Sequence, residues 1–151
     1  SLFDTPTYAG SYDRSLEAIE QALAEYPSVK VVIDLHRDSI LTDEGVAYRT
    51  SCTIDGTETA QLMFVVGTDH GGSGHTGWQD NLTLAVHLQR RLHGTYPGLC
   101  RDINLRSASF NEQYTKGSLL IEMGAASSAL EEALRAVRYL AEAMTAVIRG
   151  E

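Results

Sequence analysis

Residues 13–38, DRSLEAIEQALAEYPSVKVVIDLHRD, read as a helix followed at once by a strand. The first half places Leu16, Ile19, Leu23 and Tyr26 at steps of three and four, the spacing of one helical face. Ser11 or Asp13 stands where an N-cap is needed, and Pro27 ends the run. Val29 to Leu35 is short, β-branched and almost continuously apolar, which predicts a strand buried on both faces. Helix, turn and buried strand make half of an α/β unit.

The pattern continues on the C-terminal side. Val46, Tyr48, Thr50, Cys52 and Ile54 alternate with small or polar residues, as in a half-exposed strand, and Asp55-Gly56 is a hairpin turn. The return strand is expected to run unbroken from Thr59 to Gly67. Thr68 to Gly77 (TDHGGSGHTG) is too rich in glycine to be anything but a loop. Leu82, Ala85, Leu88 and Leu92 then mark a helix over Asp80–His93, and Tyr96-Pro97-Gly98 turns the chain. A short strand at Ile103–Leu105, a buried strand at Ser118–Met123 ended by Gly124, and a long helix over Leu130–Arg149 complete the series. Strands alternating with helices predict an α/β layered sheet, and the absence of any linker or repeat predicts one domain over residues 1–151.

Composition excludes several classes. The chain has 151 residues, 43% hydrophobic and 21% charged, with three prolines, a balance typical of globular rather than disordered chains. Twelve Lys and Arg against twenty Asp and Glu give a formal charge of −8, and no basic stripe offers a footprint for a nucleic acid. The same shortage of basic residues argues against docking on anionic lipid. No apolar run reaches the roughly 18 residues of a membrane helix, and residues 1–10 lack the charged and apolar regions of a signal peptide. Cys52 and Cys100 fit no metal or redox spacing and read as two buried thiols, with a single disulfide as the lesser alternative.

Two positions break the apolar pattern in a chemically suggestive way. Asp34, His36, Arg37 and Asp38 crowd the carboxyl end of a predicted strand, where open α/β sheets bind ligands. His36 there is either a metal ligand, its other nitrogen oriented by Asp34 or Asp38, or an ordinary strand-end histidine. Glu122 interrupts the apolar run Leu119–Met123, and a carboxylate in a buried strand must be paired, metal-bound or protonated. It reads either as a general acid/base or as a structural glutamate held by an arginine such as Arg106. His70 and His75, with Asp69, share the Gly-rich loop, which can wrap a ligand or be a plain polar connection. His87 and His93 fall on a helix and are expected to face solvent. No phosphate-binding loop, dinucleotide fingerprint, H-E-x-x-H or nucleophile elbow occurs.

Six segments in order carry a family resemblance: Gly10–Leu16 (GSYDRSL), Val32–Asp38 (VIDLHRD), Gln61–Gly67 (QLMFVVG), His75–Leu82 (HTGWQDNL), Tyr96–Leu99 (YPGL) and Leu119–Gly124 (LLIEMG). The series resembles the stage II sporulation protein P family, within the zinc-dependent N-acetylmuramoyl-L-alanine amidases. The resemblance implies a three-layer fold, a mixed, mostly parallel sheet flanked by helices. It also implies hydrolysis of the amide between N-acetylmuramic acid and L-alanine of peptidoglycan during engulfment, with endopeptidase action on cross-links also attributed to the family. His36 matches a metal-ligating histidine and Glu122 the catalytic glutamate. Arg37, His75 and Arg106 match positions where substrate contact is expected, although Thr76-Gly77 departs from the family's segment after His75. Asn111 is also family-like. Implied with these are zinc, other engulfment-machinery proteins as partners, and a place outside the cytoplasm at the septal or forespore membrane. The family's first motif, a strand ending His-Thr-His followed by a glutamate, has no counterpart, so the expectation is an amidase-like fold without its first strand. The alternative function is a catalytically incomplete peptidoglycan-binding module.

Overall fold

The computed structural model describes residues 3, 5–7 and 9–150. Helix α1 spans Ser11–Glu25 and strand β1 Val31–Asp38. A ribbon follows, β2 (Ser51–Ile54) and β3 (Thr57–Ala60), and then β4 (Leu62–Gly67). Helix α2 (Trp78–Thr95), β5 (Asn104–Arg106), β6 (Gly117–Ala125) and α3 (Leu130–Arg149) complete the chain.

Four strands form the main sheet in the order β1-β6-β4-β5. β1 runs parallel to β6 and β5 parallel to β4, while β4 and β6 are antiparallel, so the sheet is mixed. Its two faces differ in chemistry. Leu119, Ile121 and Met123 of β6 and Leu62, Phe64 and Val66 of β4 point to one face, where they pack with Ala85, Leu88 and Leu92 of α2 and Ala136, Leu140 and Ala143 of α3. At about 25 cal/mol per Å² of apolar area removed from water, this layer dominates stability. The opposite face carries Asp34 and His36, paired in register with Leu120 and Glu122. The first turn of α1 lies on that side, with Tyr12 stacked on His36 at 6.3 Å between ring centroids.

Several expectations need correcting. β1 is an edge strand, not one buried on both faces: Leu35 is 51% exposed. An apolar β-branched run specifies a strand but not the number of its neighbours. The return strand breaks at Gln61, because β3 pairs with β2 in a separate ribbon while β4 enters the main sheet. Strand β2 starts only at Ser51, leaving Val46 and Tyr48 exposed in the preceding loop. No side chain caps α1. Gly10 at φ 78° occupies the N-cap, and Ser11 is already helical. The Asp55-Gly56 turn has both residues at positive φ, 48° and 74°, as a two-residue hairpin requires. Cys52 and Cys100 are free and half-buried rather than fully buried, and burial pushes the Cys100 thiol up to about 12.

Candidate functional site

The carboxyl ends of β1 and β6 bring His36 and Glu122 side by side as register partners, on the same sheet face. Parallel pairing achieves this without a loop, since both side chains follow from one strand alignment. His36 Nε2 lies 3.0 Å from Asp34 Oδ2, so Asp34 rather than Asp38 orients the imidazole. The register then slips between His36 and Asp38, which pairs with Ala125. Arg101 reaches the cluster from the far side of β6 and places Nη2 2.8 Å from Asp38 Oδ2.

Glu122 is the electrostatically unusual member. Its Oε2 is buried and has no hydrogen-bond partner among the described residues. Burial raises its pKa above the ordinary carboxylate range, and the Asp38 carboxylate raises it further. His36 and Arg101 oppose the shift, and Asp34 adds to it. A carboxyl whose pKa burial raises, set in a strand-end cluster, suits proton transfer. The arginine facing it is Arg101. The expected Arg106 instead pairs with Gly67, at the end of β4 remote from Glu122.

The three residues expected to contact substrate do not join this cluster. Arg37 turns to the β6–α3 connection, donating from Nε and Nη2 to the Ala125 carbonyl (3.2 and 3.0 Å) and from Nη2 to the Ala126 and Ser128 carbonyls. His75 is 2% exposed, with Nδ1 unpartnered among the described residues, and lines a cavity of about 290 Å³ with Asp80, Asn81 and Lys116. That cavity adjoins the start of β6, at the opposite end of the sheet from Glu122. Arg106 is exposed and lines another cavity with His70 and Trp78. Asn111 ties the irregular segment to α1, donating from Nδ2 to the Tyr12 carbonyl at 2.8 Å. His87 and His93 face solvent as expected.

Sequence reasoning missed Arg101 and Glu112. Neither lies in a periodic segment, so nothing local flags them. Glu112 is 2% exposed and accepts hydrogen bonds from the backbone N–H of Gly67 (2.5 Å) and of Leu120 (3.0 Å). It closes the gap where β4 and β6 diverge. Burial raises its pKa to about 7, with the two amide bonds opposing and Asp34 adding to the rise.

A catalytic zinc takes three protein ligands. Among the described residues no group of three or more His, Cys, Asp or Glu side chains is arranged to hold a metal ion. Among the described residues of this cluster, His36 is the histidine a metal could use.

The fold and site define an α/β domain with a histidine–carboxylate cluster at the carboxyl ends of two parallel strands. The profile of the stage II sporulation protein P family matches residues 1–145, and the chain belongs to that family. It is 31% identical over 140 residues to the stage II sporulation protein P of Bacillus subtilis (strain 168), an overlap covering 89% of this chain and 32% of the relative. The chain thus spans about a third of the relative's length. No solved structure matches it. Among the described residues, no helix is long and apolar enough to cross a membrane.

Proposed function

We propose that this sporulation-family chain carries the proton-transferring half of a peptidoglycan amidase centre. The bond cleaved is the amide between N-acetylmuramic acid and L-alanine, in wall remodelled at engulfment outside the cytoplasm. Glu122 takes the proton of the attacking water and delivers it to the leaving amine. The observation that carries this reading is the buried, unpartnered Oε2 of Glu122 beside His36, at a strand end of a chain in this family. Asp34 holds the His36 ring, and His36 is the nitrogen this chain would offer a metal. Among the described residues no group of three or more His, Cys, Asp or Glu side chains completes that metal's ligand set.

That same shortfall favours a second reading for the 151 residues taken alone, a peptidoglycan-binding module. Dye-labelled sacculi separate the two. Release of dye that disappears in Glu122→Gln supports the amidase. Pelleting with sacculi without release supports the binding module. Release unchanged by Glu122→Gln contradicts the assignment of Glu122. Partners in the engulfment machinery belong to the same proposal, and co-purification from sporulating cells tests them.

A further inference from the structure

Arg101 and Glu122 are oppositely charged neighbours that do not meet. Arg101 N donates to the Leu62 carbonyl at 2.8 Å, which fixes its backbone at the start of β4, while Asp38 closes β1. Since β6 lies between those strands, the Arg101–Asp38 ion pair at 2.8 Å crosses the end of β6 close to Glu122. Among the described residues, two buried polar atoms in this cluster have no partner, Arg101 Nε, a donor, and Glu122 Oε2, an acceptor. The other arginine at this edge, Arg37, is committed to three backbone carbonyls.

We infer that Asp38 is a positioning residue that keeps Arg101 engaged and so leaves the Glu122 carboxylate unpaired. Without the Asp38 carboxylate, the guanidinium is free to turn to Glu122, on which its charge already acts, and a charge-assisted bond between them would occupy the oxygen the chemistry needs. The inference rests on Glu122 acting as proposed above, but its first test does not depend on activity.

The Nε–H resonance of Arg101 in proton–nitrogen spectra reports which partner the guanidinium holds. Glu122→Gln in the otherwise unchanged chain is expected to leave that resonance in place, because the two groups are not bonded. A large displacement there would overturn the inference. Asp38→Asn is expected to shift it downfield, and adding Glu122→Gln to Asp38→Asn to remove the shift. A resonance unmoved by Asp38→Asn, or moved equally with and without Glu122, also overturns it. In the dye-release assay with this chain grafted into the Bacillus subtilis relative, Asp38→Asn should lower release about tenfold, the scale of one charge-assisted hydrogen bond, and adding Arg101→Gln should restore it. A double variant no better than the single one contradicts the inference. Failure of the underlying functional reading shows separately, as release that ignores Glu122→Gln.

Discussion

Glu112 is a buried carboxyl held by two backbone N–H groups, whereas Glu122 is half-buried and its buried Oε2 has no partner among the described residues. Glu112 accepts two backbone N–H groups, which replace ladder partners where β4 and β6 part. Its pKa of about 7, against 4.5 for an ordinary carboxyl, makes the protonated form favour the fold. Its contribution is therefore complete below about pH 4.5 and is lost as pH rises through about 7. The loss amounts to at most about 3 kcal/mol. Urea unfolding at pH 5 and pH 8 should show the chain less stable at the higher pH, and Glu112→Gln should shrink that difference. An unchanged difference in the variant would refute the role given to Glu112. Glu122 was legible as a candidate because a charge inside an apolar strand is conspicuous in sequence. Glu112 was not, because its neighbours are irregular and its burial depends on two strands distant in the chain.

At the scale of elements, the hydrophobic pattern specified helices and strands better than it specified their neighbours. Helix α3 falls on Leu130–Arg149 as its periodicity predicts, and the Asp55-Gly56 turn is where the dipeptide placed it. What the pattern could not supply is sheet order. Val31–Leu35 and Leu119–Met123 look alike as sequence, yet β1 is an edge and β6 is central. Leu35 and Ile121 are register partners that make the contrast measurable. Ile121, fully buried, should lose about 2–5 kcal/mol on substitution by alanine. Leu35→Lys should stay within about 0.5 kcal/mol of wild type in thermal or urea unfolding. Comparable losses at both would contradict the edge assignment. Gly67 marks a second constraint, since a Cβ there would lie 2.0 Å from the Ala108 carbonyl oxygen. Gly67→Ala should therefore cost at least about 1–3 kcal/mol by forcing the 107–112 segment, and with it Glu112, off β4.

For the whole molecule, the sheet separates two groups of residues that the sequence suggested as one site. His36, Glu122, Asp38 and Arg101 gather at the carboxyl ends of β1 and β6, while His75 and Arg106 lie at the other end. Pairs close in the fold but far apart in sequence, such as Arg101 and Asp38, leave no signature in a single chain. The metal expectation is testable at this scale. Elemental analysis after dialysis against buffered zinc should find well under one zinc per chain, and a full equivalent would show that the donor set is larger than described. In the proposed reaction Glu122 moves the proton in amide hydrolysis. Grafting this chain in place of the matching region of the Bacillus subtilis relative, of which the overlap is 32%, and measuring dye release from sacculi tests that role. The graft should release dye, and Glu122→Gln should lower that release by about 100-fold or more. Equal release with and without the Glu122 carboxylate would contradict it.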